Sequence, residues 1–263
     1  MEVAVAASAP LGADVLERLA ARRPIAYLLT RPDRPRGRGQ KVQPTPAKVV
    51  AERLGIPVRQ PERLDESFEV GADAVVVVAY GALIPDVLLD RALWLNVHPS
   101  LLPRWRGAAP VERALMAGDR ETGVTIHRTT AELDAGPIAA QESFPISPDA
   151  DAGAVYAKSG EVAARLLEHV LEHPEFEPQP QEGVMYADKL TAADRVLDWS
   201  RPPEELLNRI RALSPHIGAR AELDGRDVIV WRARLDNGRL EPLEVQPAGG
   251  RRMTYAEFRR GLR

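Results

Sequence analysis

The sequence predicts an α/β fold: a doubly wound, mostly parallel sheet, followed by a smaller, mostly β domain. Three observations support this prediction. Residues Ala74–Ala79 form a short, continuous apolar run, typical of a central strand buried on both faces. Segments such as Ala13–Ala21 place apolar residues on one helical face between such strand-like runs. Beyond residue 180, this alternation gives way to a segment of different composition.

Strands and helices alternate along the first two-thirds of the chain. The predicted strands are Val3–Ala6, Ile25–Thr30, Ala74–Ala79, Trp94–Val97, Val124–Thr129 and Ile138–Phe144. The predicted helices are Ala13–Ala21, Thr45–Leu54, Val111–Ala117 and Ala152–His173. Pro46 and Pro110 fall at the starts of two of these helices, where the missing amide hydrogen is tolerated. Helices that cross between parallel strands produce a Rossmann-like sheet.

A Pro-rich polar segment, His173–Gln181, separates two regions of different composition. Because a residue that precedes proline is driven to an extended conformation, this segment reads as a connector rather than a helix. The sequence therefore predicts a first domain over residues 1–180, with the connector at its end, and a second domain over 181–263. The second domain carries a predicted amphipathic helix, Pro203–Leu213, and a predicted strand, Val228–Arg234.

The composition is that of an ordinary globular protein. The 263 residues are 44% hydrophobic and 28% charged, and they include no cysteine, which excludes disulfides, thiol nucleophiles and thiolate metal sites. We therefore expect a cytoplasmic protein. The N-terminus lacks the basic region of a signal peptide, and no apolar run reaches the roughly 20 residues that span a bilayer. A net charge of −3 argues against general coating of nucleic acid.

One segment, Arg31–Lys41, departs from this average. Its sequence RPDRPRGRGQK carries five basic residues and one acidic residue. It is either a solvated surface loop or an arm that contacts a phosphate backbone, since arginines on a Gly-rich segment suit phosphate contacts. The loop has no aromatic side chain, so such an arm would bind backbone rather than stack on bases.

The strongest catalytic signal lies at the end of the strand Trp94–Val97. Asn96 and His98 are two residues apart, so on an extended chain they share a face, and Asp134 follows on a later turn. Ligands of open α/β sheets bind beyond the carboxyl ends of the strands. There an amide can stabilise an oxyanion, an imidazole can move a proton and a carboxylate can orient the imidazole. Taken singly, Asn96 could be a cap, His98 structural and Asp134 a turn residue.

The remaining histidines are weaker candidates. His127 lies on a predicted strand and His216 follows a proline, so both are interpreted as structural. His169 and His173 are four residues apart on a helix, but no metal-binding carboxylate motif accompanies them, which favours a solvated face. The sequence predicts no metal site. It also contains neither Gly-rich motif that marks a nucleotide-binding turn.

These motifs resemble those of the methionyl-tRNA formyltransferase family over most of the chain. SLLPRWRGAAP, Ser100–Pro110, is similar to the family's signature loop, and Asn96, His98 and Asp134 resemble its catalytic trio in order and spacing. The Arg31–Lys41 segment resembles the family's inserted loop, and Val75–Pro85 the strand and turn that line its folate pocket. Leu197–Ala219 and Leu243–Gly261 resemble parts of its tRNA-binding domain.

The resemblance implies the formyltransferase fold and a reaction of translation initiation. The formyl group of 10-formyltetrahydrofolate would move to the amino group of methionyl-initiator tRNA, without a metal. Asn96 would stabilise the oxyanion, His98 would carry protons and Asp134 would tune His98. The implied folate contacts are Ser100, Leu101, Leu102, Pro103, Tyr80 and Gly81. The implied tRNA contacts are Arg34, Arg36, Arg38 and Lys41, with Arg38 the favoured wedge. We expect no membrane partner, and a monomer.

Two departures from the family pattern leave alternatives open. The turn Ala7–Ala13 reads ASAPLGA where the family has a GTPEF-like sequence, and the OB-like second domain is shortened near Leu235–Leu243. So short a domain predicts an open, reduced sheet whose edges are either exposed or covered by a partner. A sugar-nucleotide N-formyltransferase with the same donor and trio is the alternative function, and the basic loop argues against it. A nucleic-acid-binding module without catalysis is the third reading, which the intact trio disfavours.

Overall fold

The computed structural model describes residues 1–36 and 39–261 and confirms the predicted α/β fold. Its central sheet has seven strands in the order β10-β9-β7-β6-β1-β2-β5. The strands are β1 (Val3–Ala7), β2 (Leu28–Leu29), β3 (Arg34–Arg36), β4 (Lys41–Gln43), β5 (Val58–Arg59), β6 (Ala74–Val78), β7 (Leu93–His98), β8 (Arg106–Gly107), β9 (Glu121–Arg128), β10 (Ile138–Pro145), β11 (Tyr186–Ala187), β12 (Ala219–Leu223), β13 (Arg226–Asp236), β14 (Arg239–Pro247) and β15 (Met253–Thr254).

The five predicted helices start and end close to where the sequence predicts them, and two further short helices, over residues 86–89 and 255–260, are not predicted. They are α1 (Pro10–Ala20), α2 (Pro46–Arg53), α3 (Asp86–Leu89), α4 (Pro110–Ala117), α5 (Ala152–Glu172), α6 (Pro203–Leu213) and α7 (Tyr255–Arg260). At α2, Pro46 occupies the first turn while the Thr45 hydroxyl accepts a hydrogen bond from the amide of Lys48 at 3.2 Å. This side-chain cap supplies one of the acceptors that a helix start lacks, so the helix begins where the sequence signals it.

The middle strand of the central sheet is β6, and all five of its residues are buried. It runs parallel to β1 on one side and to β7 on the other, with Val77 opposite Asn96. Strand β9 then runs antiparallel to β7, which places His127 opposite Asn96. Parallel neighbours end at the same edge of a sheet, so the residues that follow β6 and β7 lie at one edge.

The chain divides into two compact units, neither of them continuous in sequence. The first comprises Met1–Arg106, Gly123–Ser143 and Ala157–Met185, and the second comprises Gly107–Thr122, Phe144–Tyr156 and the chain from Tyr186 on. In the first unit, a cluster that includes Tyr27, Val75, Val77, Leu88 and Trp94 forms the core on one side of the sheet. The domain boundary near residue 180 stays a prediction from the sequence.

In the second unit, the antiparallel sheet β12-β13-β14-β15 packs its apolar side chains against those of α6. Strands β13 and β14 are joined by two residues, Asn237 and Gly238, which both have positive φ. This is the geometry of a tight hairpin turn. The described residues form an open four-stranded sheet, as the shortened sequence predicts.

The Arg31–Lys41 segment contains strand structure that its sequence does not signal. Strands β3 and β4 pair antiparallel, with Arg34 opposite Gln43 and Pro35 opposite Val42. We call residues 31–43 the basic hairpin. Arg34, Lys41 and Val42 are exposed at its surface. Arg38 lies outside the described residues, and the Arg36 backbone belongs to β3.

Candidate active site

His98 ends strand β7 and is almost fully buried, with 4% of its surface exposed. Its Nε2 lies 2.8 Å from the carbonyl oxygen of Trp105. A carbonyl oxygen only accepts hydrogen bonds, so Nε2 carries the hydrogen and donates it. In the neutral imidazole this leaves the lone pair on Nδ1, which makes Nδ1 the atom able to accept a proton.

The Asp134 carboxylate faces that atom. Its Oδ2 lies 3.6 Å from His98 Nδ1, and its Oδ1 accepts a hydrogen bond of 3.1 Å from the Asn96 side-chain amide. The gap to Nδ1 is longer than a direct hydrogen bond, so the two acceptors face each other without sharing a proton. The structure thus brings Asn96, His98 and Asp134 together, as the sequence predicts.

Burial dominates the electrostatics of His98. Loss of hydration lowers the pKa of the His98 imidazole below its usual value, while the Asp134 carboxylate and the hydrogen bond to Trp105 oppose that shift, and His127 adds to it. A histidine with a lowered pKa is neutral at pH 7. His98 is therefore held in the form that can accept a proton, beside a carboxylate that stabilises the charged product.

His127 belongs to the same cluster, which the sequence analysis did not foresee. Its Nε2 lies 3.1 Å from Asn96 Nδ2 and 3.5 Å from Asp134 Oδ1, and its Nδ1 lies 3.0 Å from the carbonyl oxygen of Arg128. Since that carbonyl requires a donor, Nδ1 carries the hydrogen and Nε2 accepts from Asn96. The signal that could have found it is strand pairing, since His127 is the partner of Asn96 across β7 and β9.

Asp134 sits in a constrained turn. Its φ is +48°, which is uncommon for a residue other than glycine. A Cβ on Gly136 would lie 1.8 Å from the Arg128 carbonyl oxygen, so this position accepts only glycine without movement of the backbone. The carbonyl oxygens of Asp134 and Gly136 both accept 2.8 Å hydrogen bonds from the side chain of Gln179. Gln179 comes from the Pro-rich connector, and nothing in its local sequence indicates this contact.

The loop after His98 is held by hydrogen bonds from side chains of strands β9 and β10. Thr125 Oγ1 donates to the Ser100 carbonyl at 2.7 Å and accepts from the Leu102 amide at 3.1 Å, while Gln141 donates to the Leu102 carbonyl at 3.0 Å. Ser100 is buried, and its hydroxyl donates to the Arg104 carbonyl. Ser100 and Leu102 are thus turned inward, and Leu101 and Pro103 are half-buried.

Tyr80 and Gly81 follow strand β6. Tyr80 is buried in the apolar cluster with Val77 and Trp94, and burial raises the pKa of its hydroxyl. Gly81 is exposed with a φ of +76°, which suits glycine. The sheet places these two residues at the same edge as His98, since β6 and β7 are parallel neighbours. A direct contact of either residue with folate stays a prediction.

The base of the basic hairpin is anchored by a charged cluster. The Lys48 ammonium lies 2.6 Å from an Asp33 carboxylate oxygen, and the Gln60 amide donates to the other oxygen at 2.7 Å and to the Arg31 carbonyl at 2.9 Å. These hydrogen bonds lower the pKa of Asp33, with Lys48 the largest cause. The hairpin therefore has a fixed base, and its two strands carry the exposed Arg34 and Lys41.

Among the described residues, no group of three or more histidine and acidic side chains is arranged to hold a metal ion. No helix in that part of the chain is long and apolar enough to cross a membrane. His169, His173 and His216 are exposed.

Comparison with known proteins identifies relatives over most of the chain. Residues 1–171 match the formyl transferase family, and residues 189–242 match the formyl transferase C-terminal domain. By these matches, the chain is a formyltransferase. A methionyl-tRNA formyltransferase of Halorhodospira halophila is 43% identical over an alignment that covers 92% of this chain and 89% of the relative. The chain belongs to the methionyl-tRNA formyltransferase family.

Solved structures share the fold at lower identity. A methionyl-tRNA formyltransferase from Clostridium thermocellum superposes with a TM-score of 0.66 at 13% identity, covering 94% of this chain and 98% of that one. An N-formyltransferase from Helicobacter canadensis, in complex with folinic acid and dTDP-3-aminofucose, gives a TM-score of 0.70 at 17% identity, covering 90% and 88%. At these identities the likeness concerns the fold alone.

Proposed function

We propose that this enzyme transfers the formyl group of 10-formyltetrahydrofolate to the α-amino group of methionyl-initiator tRNA, with Asn96, His98 and Asp134 as its catalytic residues. The observation that carries the proposal is the buried, neutral His98, whose Nε2 is fixed by the Trp105 carbonyl and whose Nδ1 faces Asp134. Such an imidazole can accept a proton only at the atom that faces the carboxylate.

The acceptor amine must lose a proton before it can attack. An α-amino group has a pKa of about 7.7–8.0, so much of it is ammonium at neutral pH. Solvent takes this first proton, and the free amine attacks. As the nitrogen bonds to the formyl carbon, His98 Nδ1 takes a second proton from it, and the Asp134 carboxylate stabilises the imidazolium that forms. When the bond from that carbon to N10 of the folate breaks, the imidazolium returns its proton to the leaving nitrogen.

Asn96 stabilises the oxyanion of the tetrahedral intermediate. Its amide donates to Asp134 and to His127 in the free enzyme, so the formyl oxygen has to replace one of these acceptors. His127 accepts a hydrogen bond from Asn96 at Nε2. The Asn96 side chain therefore turns its nitrogen, and not its oxygen, toward the site. We assign His127 as the residue that keeps the Asn96 amide in the donating orientation.

The remaining predicted contacts divide between the two substrates. The 100–103 loop and the turn at Tyr80 and Gly81 bind the folate, since both follow strands that end at the edge where the trio lies. Arg34, Arg36, Arg38 and Lys41 bind the phosphate backbone of the tRNA. The exposed ends of Arg34 and Lys41 on an anchored hairpin support that assignment, because cations on a short anchored segment lose less entropy on binding. We expect the enzyme to act as a monomer.

The first test is replacement of His98. In His98→Ala we expect kcat to fall by about 10²–10⁴-fold while the affinity for methionyl-tRNA is retained, because the general base is lost and no RNA contact is. Asn96→Ala should lose about 10²–10³-fold. The measurement is formyl transfer from 10-formyltetrahydrofolate, with tRNA binding measured separately.

His169→Ala is the matched control, because His169 is an exposed histidine on α5. Turnover that survives in His98→Ala would contradict the assignment of the general base. Parallel assays with uncharged tRNA and an amino-sugar nucleotide identify the acceptor. Transfer to the sugar alone would replace the proposed substrate with the alternative and leave the catalytic assignment in place.

A further inference from the structure

Gln179 is buried, with 6% of its surface exposed, although it lies in the polar connector. Pro178 and Pro180 flank it, so the backbone on both sides is restricted to extended conformations. Nearby, the Glu177 amide and carbonyl pair with the backbone of Ile138 at the start of β10. The connector is thus fixed alongside the catalytic strands, and its glutamine enters the interior with little rotational freedom.

Both polar atoms of the Gln179 side-chain amide make hydrogen bonds. Nε2 donates to the carbonyl oxygens of Asp134 and Gly136, each at 2.8 Å. Oε1 accepts from Arg106, at 3.2 Å from Nε and 2.8 Å from Nη2. The two carbonyls need a donor and the guanidinium needs an acceptor, so only one orientation of the amide is consistent with its partners.

Arg106 is itself buried, with 6% of its surface exposed, and it follows the 100–105 loop that carries the Trp105 carbonyl. Its Nη1 lies 3.5 Å from the exposed Glu132 carboxylate. Gln179 therefore links the loop that orients His98 to the turn that carries Asp134. Because Asp134 has a φ of +48°, its peptide orientation depends on hydrogen bonds from outside the turn.

We propose that Gln179 is a positioning residue for the Asp134 carboxylate, holding the Asp134 turn against the His98 imidazole through two carbonyl hydrogen bonds. It touches no reacting atom and acts through Asp134 alone. The inference rests on the proposed function for its catalytic meaning, but its structural claim can be tested without turnover. The groups that set the His98 titration are the Asp134 carboxylate and the His127 imidazole, with the Trp105 carbonyl as hydrogen-bond partner.

The test is the titration of the His98 imidazole, followed by NMR in the full-length enzyme and in the Gln179→Leu variant. Asp134 raises the pKa of His98, so an Asp134 turn that moves away should lower that pKa. Asp134→Asn gives the reference for complete loss of the charge. We expect Gln179→Leu to shift the His98 pKa downward, in the direction of this reference, while a purely structural glutamine would leave it unchanged.

Gln179→Met provides a second variant if Gln179→Leu folds poorly. It is used instead of Gln179→Glu, because a glutamate would add a negative charge near His98. Methionine keeps about the same side-chain length without a charge, and it loses both donors to the carbonyls. The same downward shift is expected. Gln246→Leu is the matched control, since Gln246 accepts from the Trp231 indole and donates to the Gly250 carbonyl in the other unit. A folded Gln179 variant with an unchanged His98 pKa overturns the proposal.

Kinetics separate this inference from the proposed function. If the wild-type enzyme transfers formyl groups, both Gln179 variants should lose about 10- to 100-fold in kcat with little change in KM for either substrate, and the acidic limb of the pH profile should move to lower pH. A rise in KM at constant kcat would contradict the positioning role. If the wild-type enzyme transfers no formyl group, the proposed function fails, and the titration alone decides whether Gln179 positions Asp134.

Discussion

Two segments of this chain, the connector His173–Gln181 and the basic hairpin, are both polar and contain several prolines, but their environments differ. Within the connector, Gln179 is 6% exposed and its amide has three protein partners. On the hairpin, Arg34 and Lys41 are exposed and Val42 is 65% exposed. Proline content therefore does not tell whether a segment lies in the site or at the surface.

The difference follows from the hydrogen-bonding groups of the two segments. A glutamine amide both donates and accepts, so it can be buried between carbonyl oxygens and a guanidinium with every group satisfied. Arginine and lysine only donate and carry a full charge, which is costly to bury without a carboxylate. The hairpin offers one carboxylate, Asp33, and this is the residue that binds Lys48 at its base. Of the hairpin cations whose side chains are described, Arg34 and Lys41 are exposed to solvent.

The largest effect is expected at Gly136, whose carbonyl oxygen accepts a hydrogen bond from the connector residue Gln179. In Gly136→Ala the new Cβ would lie 1.8 Å from the Arg128 carbonyl oxygen, which is backbone and cannot turn aside. We expect the free energy of unfolding to fall by about 3 kcal/mol, the upper end of overpacking effects, and formyl transfer to be lost. Denaturant unfolding and the transfer assay measure both.

Gly183→Ala is the control for that substitution. Gly183 has a φ of +79° but open space around its Cβ position, so the cost is backbone strain alone, about 1 kcal/mol. It should keep its formyl-transfer activity. Equal loss of activity in the two variants would show that the Asp134 turn is no more sensitive than the rest of this region.

An intermediate effect is expected at the exposed cations of the hairpin. Neutralising Arg34 and Lys41 together, as Arg34→Gln and Lys41→Gln, should raise the KM for tRNA roughly tenfold and leave the KM for folate unchanged, because only phosphate contacts are removed. The dependence of tRNA binding on salt should weaken by about two in slope. Arg53→Gln, which removes an exposed cation paired with Glu17, is the matched control. An equal rise in both KM values would argue against an RNA arm.

The smallest effect is expected at the base of the hairpin, where Asp33 binds Lys48. Asp33→Asn should lower the stability by about 1 kcal/mol or less at neutral pH, since the ion pair is only half-buried. The folded-state pKa of Asp33 is lowered, so its contribution is present above the unfolded pKa of about 3.9 and is lost as the pH falls through the folded value. Unfolding measured at pH 7 and below pH 4 should show this difference shrinking. A difference in unfolding free energy between the two proteins that is the same at both pH values would contradict a stabilising ion pair.

Much of the fold could be predicted from the sequence because its signals are local. Helix α6 has the predicted bounds Pro203–Leu213, and the valine-rich run at Ala74 becomes the middle strand. Periodicity and proline positions act within a few residues, which is why they are readable in one dimension. The strand predicted at Ile25–Thr30 shortens to Leu28–Leu29, and the pairing within the basic hairpin has no apolar pattern to announce it.

The sequence by itself determined the fold class, the family and the grouping of Asn96 with His98, which share one strand. The resemblance to the family added Asp134, and only the tertiary structure decided the contacts that join it to them and brought in His127 and Gln179. Asp134 reaches Asn96 across 38 residues, and Gln179 reaches the Asp134 carbonyl across 45. His127 enters through strand pairing, 31 residues from Asn96. Their hydrogen bonds depend on how distant strands and the connector pack together, and a buried polar group is stable only where such partners complete it.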